Sequence, residues 1–465
     1  MIVILIILLL FSISLIPENI GFNFTFELRA LVFAIGVTGM IGRIGIVEPP
    51  RSSEHPTLKR RGVILTSIDI AYIAVTILTV ISFVTKAQNI NAFHYAFVQV
   101  GMAVVYFFIR TTKSTKDTKK IRTDNCLVNF IKVQRTKNKV PILIVGIGFI
   151  VAMIGLVQFA MGKPVVSTFG RTSYLGCFLA MNIPLAFGLV LATSESKCLS
   201  KVKGRKVEGQ KLFGWIIFTI IFGVMILTRS RTAIIATAVV LLLMTIATNT
   251  RILKKIIFIK KNLIIISAFA AVVLYFGGKA IYRIRPMSAS GRVLIWKVSA
   301  EMFRKNPISG VGFGNFANQY NLYQAEYFAS GKGSVINKMT AGQVRHAYNW
   351  YLETAVEFGI FGLIVFGIFW WLILVEVYKV FAPPRSPSTP PRQGGELTGH
   401  GLRVTDYGTM GMAGAVLCFM IMSLFQFPWQ IIPTYLFFNV ALAWIVNANE
   451  YTDLHISFLT TNKHE

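Results

Sequence analysis

Long apolar runs recur along this chain, separated by shorter polar stretches. Each approaches the ~20 residues that a helix needs to cross a bilayer. The runs lie at 1–16, 27–46, 63–84, 92–109, 141–161, 173–193, 212–228, 232–248, 262–276, 348–376, 408–426 and 430–447. The pattern predicts an all-α polytopic membrane protein with about twelve transmembrane helices. The first run is short enough for a signal peptide, but it lacks a basic leading segment. Ile16-Pro17-Glu18 is also a poor cleavage site, so the run is counted as a span.

One polar interval differs from the rest. Residues 277–347, between the ninth and tenth spans, form a large extramembrane loop. Within it Ile295, Val298, Met302 and Phe303 sit at helical spacing, flanked by Arg292, Lys297, Arg304 and Lys305. That spacing predicts an amphipathic surface helix. Asn306-Pro307 ends it, Gly310, Gly312 and Gly314 make a turn, and Asn315 to Ser330 reads as a second helix. The organisation is then spans one to nine over 1–276, the loop 277–347, three spans over 348–447 and a tail 448–465. A proline- and glycine-rich linker occupies 382–399.

Composition agrees with the pattern. The 465 residues are 54% hydrophobic and 14% charged, with mean hydropathy +0.63, whereas soluble domains carry about 25% charged residues. The net charge of +28 would suggest nucleic acid on a soluble protein. Sorting the basic residues by loop gives another meaning. With a cytoplasmic N-terminus and alternating sides, 30 of the 47 Lys and Arg fall in cytoplasmic loops. The short outside loops hold Lys86, Lys163, Arg171, Arg229 and Arg231. This asymmetry predicts both termini inside and the large loop outside, and no nucleic-acid partner. The basic linker 110–140 is expected to lie against anionic headgroups. Cys177 and Cys418 fall in spans and Cys126 and Cys198 in linkers, so no disulfide is expected in the outside loop.

Three constellations could carry chemistry. Thr228-Arg229-Ser230-Arg231-Thr232 is a tight outside turn with two arginines against the positive-inside bias. Two readings fit: snorkelling side chains at helix ends, or an anion site built from planar guanidinium forks and a helix N-terminus. Arg345 to Glu353, continuing to Glu357, is the second. Taken as a helix, it stacks His346, Asn349, Glu353 and Glu357 on one face. Carboxylates inside a span point to function, although pairing with loop arginines would brace the fold instead. The third is the run from Gly291-Arg292 and Trp296 to Gly310-Val311-Gly312-Phe313-Gly314. It reads as a turn between two surface helices or, more weakly, as a phosphate cradle. The sequence shows no Walker motif, no serine nucleophile elbow and no paired acidic motif for a divalent cation in the outside segments.

In this order, these motifs resemble the O-antigen ligase and polymerase family of bacterial inner membranes. The matching features are Ser230-Arg231-Thr232, Gly291 to Trp296, the Asn306 to Phe316 turn and the element from His346 to Gly362. Tyr320 to Ser330 is similar to the Bacteroidetes branch. One departure is that many members place His directly before the Asn, where this chain has Tyr348. His346 matches a second His found in relatives.

The resemblance implies metal-independent, inverting glycosyl transfer without a cofactor, at the periplasmic membrane face. The donor would be a glycan on undecaprenyl diphosphate. The acceptor would be a sugar hydroxyl of lipid A–core for a ligase, or another lipid-linked repeat unit for a polymerase. Arg229, Arg231 and Arg292 would bind the diphosphate, with Arg171 as a further candidate. His346 would be general base or positioner and Glu353 its orienting partner or a sugar ligand; Asn349, Tyr348 and Glu357 would position substrate. A transporter or flippase is the competing class. It fits less well, because its polar groups belong near the midplane on broken helices.

Overall fold

The computed structural model describes residues 65–86, 90–117, 139–195, 204–248, 286–382 and 407–461. The predicted spans 1–16, 27–46 and 262–276, most of the two linkers, Cys126 and Cys198 lie outside the described residues. The remaining nine predicted spans all coincide with helices. These are α1 (Ser67–Lys86), α2 (Ile90–Asp117), α3 (Lys139–Ala160), α4 (Thr172–Glu195), α5 (Gly204–Leu227) and α6 (Arg231–Thr248). After the loop come α10 (Trp350–Phe381), α11 (Tyr407–Ser423) and α12 (Ile432–Thr461). Six of the described helices are long and apolar enough to cross a membrane, and α5 and α11 contribute shorter apolar segments. The protein is an all-α polytopic membrane protein.

The described residues between α6 and α10 hold α7 (Pro286–Lys305), α8 (Phe316–Ala329) and a short α9 (Val335–Thr340) that the hydrophobic pattern did not predict. Their own small core joins Leu294, Val298 and Met302 of α7 to Phe316 and Tyr320 of α8, with Val356 of α10.

Helix α11 is buried nearly all round. It packs against α4 through glycines: a Cβ at Gly188 would stand 2.2 Å from the Tyr407 carbonyl, and one at Gly411 2.7 Å from Leu185 Cα. Backbones this close are a membrane solution to helix packing, where small residues replace hydrophobic driving force. The α10, α11 and α12 contact is aromatic: Trp350 meets Trp370 at 5.0 Å and Phe419 at 5.9 Å, and Phe419 stacks on Phe438 at 4.2 Å.

At one end of the bundle, Arg110 of α2 forms a fork with Asp69 of α1 at 2.6 Å and bonds Asn447 at 2.6 Å and Glu450 at 2.7 Å on α12. Tyr106 donates to Asp69 at 2.7 Å. Arg110 begins the linker expected to face headgroups, but it is 4% exposed and internally paired.

The opposite end collects the loops that alternation of spans assigns to a single side. Lys86 at the end of α1 donates to the carbonyl of Gly310 at 2.7 Å and to Ser309 Oγ at 2.7 Å. Gln426, after α11, donates to Thr232 of α6 and accepts from Cys177 of α4 at 2.8 Å.

The glycine turn is latched onto a break in α10. Gly359 has φ 67°, and Ile360 N–H leaves its own helix for the Pro307 carbonyl at 2.8 Å. Val311 and Gly312 N–H donate to the carbonyls of Val356 and Glu357, both at 2.9 Å. A Cβ on Gly310 would lie 2.4 Å from the Glu357 carbonyl, so only glycine fits.

Candidate functional site

The site is built on the segment that leads into α10. His346 to Asn349 do not continue the helix, as the one-face reading assumed. The chain reverses at Tyr348, a non-glycine residue at φ 54°, and Asn349 caps α10 by accepting the Leu352 N–H at 3.0 Å. The reversal lays the imidazole over the first turn of the helix. His346 Nδ1 comes to 3.2 Å from Glu353 Oε1, and Glu353 Oε2 accepts the Ala347 N–H at 2.9 Å. Both residues are buried. Trp296 of α7 donates its indole N–H to the Ala347 carbonyl at 2.9 Å, which ties the segment to α7.

An aromatic patch surrounds the imidazole. Phe427 lies 4.7 Å from His346, 5.2 Å from Tyr348 and 5.9 Å from Tyr174, while Tyr95 meets the imidazole edge-on at 6.3 Å. Gln430 places its amide against His346 Nδ1.

Arginines converge on this patch from several elements. Arg292 of α7 sits over the Tyr348 ring at 5.2 Å, a cation–π contact, and Arg171 at the start of α4 lies 5.5 Å from the Tyr174 ring. Arg231, at the start of α6, is near enough to Arg292 for their charges to repel. Burial, mainly, together with that like charge holds the Arg292 guanidinium below the ordinary arginine value, against the opposing pull of Tyr348. Two neighbouring guanidinium groups, neither ion-paired to a carboxylate among the described residues, are suited to an anion. Arg229 is exposed at φ 52° in the same turn. Ser230 between them packs against Gly176 of α4.

The predicted residues thus divide. His346, Glu353, Tyr348 and Arg292 are in contact; Arg231 couples to Arg292, and Arg171 joins through Tyr174 and Phe427. Asn349 serves as the cap. Glu357 faces elsewhere: its Oε1 accepts the Gly314 N–H at 2.9 Å, and the Phe316 N–H also donates to it. The glycine turn therefore spends its N–H groups on Glu357 and on the α10 backbone, which leaves no phosphate cradle there. Among the described residues no group of three His, Cys, Asp or Glu is placed to hold a metal ion.

Residues 216–367 match the family model for O-antigen ligase. Through this stretch the chain is similar to the O-antigen ligase family. A comparison with curated proteins found no match. The O-antigen ligase domain runs from α5 to the middle of α10 and holds Arg229, Arg231, Arg292, His346, Glu353 and Glu357. The similarity points in general to glycosyl transfer in O-antigen assembly. Tyr95, Arg171, Tyr174, Phe427 and Gln430 lie outside the domain and are supplied by helices and turns before and after it. Of these, sequence reasoning named only Arg171. The signal for Phe427 and Gln430 was Phe425-Gln426-Phe427-Pro428-Trp429-Gln430, two amides in an aromatic turn between two spans.

Proposed function

We propose that this protein transfers a glycan from undecaprenyl diphosphate to a sugar hydroxyl of lipid A–core at the periplasmic face of the bacterial inner membrane. The observation that carries the reading is the hydrogen-bonded His346–Glu353 pair with Arg292 stacked on the adjacent Tyr348, all within the O-antigen ligase domain. The distribution of Lys and Arg supports a periplasmic site, with both termini cytoplasmic.

Chemically, the acceptor oxygen attacks the anomeric carbon of the donor sugar. The bond from that carbon to the diphosphate oxygen breaks, and its electron pair leaves with undecaprenyl diphosphate. Attack from the opposite side inverts the anomeric centre. The acceptor proton passes to Nε2 of His346, while Glu353 at Nδ1 stabilises the imidazolium that forms. Arg231 and Arg292, with Arg229 and Arg171 at the rim, neutralise the charge that develops on the leaving group. Arginines do this without a divalent cation, so transfer is expected to persist in excess EDTA.

Tyr348 and Asn349 shape the acceptor side, the first by carrying Arg292 and the second by fixing the start of α10. Glu357 holds the glycine turn rather than substrate. The test is a deletion strain examined for lipopolysaccharide. The ligase reading expects loss of all polymer on lipid A with accumulation of lipid-linked polymer. Core bearing a single repeat unit would identify a polymerase instead.

A further inference from the structure

One nitrogen of His346 is addressed twice. Nδ1 faces Glu353 Oε1 at 3.2 Å and also the side-chain amide of Gln430. Gln430 closes the single 3-10 turn Pro428–Gln430 between α11 and α12. Trp429 anchors that turn by stacking on Trp350 at 5.7 Å and meeting Tyr95 at 5.4 Å. A ring nitrogen has a single in-plane position, at which it either donates a hydrogen or accepts one. An ionised carboxylate only accepts, and a charge-assisted hydrogen bond is roughly twice as strong as a neutral one. Nδ1 therefore carries the hydrogen. The amide then turns its carbonyl oxygen to the same N–H, because its oxygen and nitrogen exchange by a half-turn.

We infer that Gln430 is a positioning residue for His346: sharing Nδ1–H with Glu353, it holds the imidazole in the tautomer and plane that leave Nε2 for the acceptor's proton. Among the described residues nothing hydrogen-bonds to Nε2. The inference rests on the proposed base role of His346. It adds a residue from beyond the O-antigen ligase domain, so that the site is completed only when the turn after α11 docks on the segment before α10.

The groups around the imidazole bear on its pH response. They are Glu353 from α10; Tyr95 from α2; Tyr348 from its own segment; Arg292 from α7 through Tyr348; and, through Tyr95, the charges of Glu357, Tyr174 and Arg345, with Arg171 on Tyr174. None is altered by substitution at Gln430.

The experiment uses the purified full-length protein with undecaprenyl-diphosphate-linked glycan and lipid A–core extracted from membranes of the organism that carries it. Turnover, KM and pH profile are compared for the wild type, Gln430→Ala, Gln430→Met, Gln430→Glu and His346→Ala. Methionine fills the glutamine's space without its hydrogen bond. Gln430→Ala and Gln430→Met are expected to lower kcat by roughly tenfold or more, part of the ~10²–10⁴-fold that a positioned base supplies, with donor KM near the wild-type value. Gln430→Glu places a second carboxylate at Nδ1, which favours the imidazolium. Its acidic limb is expected to move to higher pH by roughly one unit. Wild-type turnover by Gln430→Met and an unmoved limb in Gln430→Glu, with His346→Ala inactive, would overturn the positioning role and leave the base standing. Full activity in His346→Ala would overturn both.

Discussion

His346 Nδ1 lies 3.2 Å from Glu353 Oε1, yet the two residues do not share a helix. The contact exists because Tyr348 adopts φ 54° and sends the chain back over the first turn of α10. The second carboxylate oxygen of Glu353 then closes the loop by accepting the Ala347 N–H at 2.9 Å. Orientation of the imidazole is thus built into the backbone path.

Glu353→Gln separates charge from shape. The amide still accepts the Ala347 N–H, so the protein is expected to fold. It no longer stabilises the imidazolium, so kcat should fall by roughly a hundredfold, within the range for general-base catalysis. Loss of the anion disfavours the protonated ring, so the acidic limb of the pH profile should move to lower pH. An unchanged profile would remove Glu353 from the mechanism.

Gly176→Ala tests the arginine turn from a distance. Its methyl would stand 2.6 Å from Ser230 Cβ and 3.0 Å from Thr228 Oγ1. Overpacking of this kind costs about 1–3 kcal/mol and shifts backbone. The turn carrying Arg229 and Arg231 should move, raising the donor KM several-fold. Gly146→Ala is the control, because nothing lies within 4 Å of a Cβ there. Equal donor KM in the two variants would argue that the turn does not bind the donor.

Glu357 separates support from chemistry. Glu357→Ala leaves the buried Gly314 and Phe316 N–H groups without their acceptor, at about 1–3 kcal/mol each. Less folded protein is expected by size exclusion in detergent. Glu357→Gln keeps an acceptor and should fold and transfer glycan nearly as the wild type does. A folded but inactive Glu357→Gln would return Glu357 to the substrate site.

The Asp69–Arg110 pair stands at the far end of the bundle. Arg110→Ala leaves Asp69, 1% exposed, without its cation. Breaking a buried pair from one side costs about 3–5 kcal/mol. The melting temperature should fall, while turnover per folded molecule stays at the wild-type value. A selective loss of turnover would show that this end communicates with the site.

Much of the fold was legible because a membrane helix is a local signal: an apolar run of sufficient length reveals it without knowledge of its neighbours. The boundaries of α1, α3, α4 and α6 follow the runs closely, and Asn306-Pro307 does end α7. The site was legible as residue types but not as a path. Helical spacing placed His346 and Glu353 on one face, and they do meet, but through a left-handed residue that spacing cannot announce. The same spacing put Glu357 beside them, whereas the break at Gly359 turns that region toward the glycine turn. Phe427 and Gln430 escaped notice because their partners are 81 and 84 residues away in sequence. Arg110 looked like one more charge in a basic linker, since nothing local marks its pairing with Asp69 on another helix.

The central claim is that an arginine pair and a carboxylate-held imidazole perform the transfer. It is tested most directly by measuring glycan transfer onto lipid A–core by Arg231→Ala and His346→Ala, each inserted in the membrane at the wild-type level. Both variants are expected to abolish transfer. Near-normal transfer by both would contradict the claim.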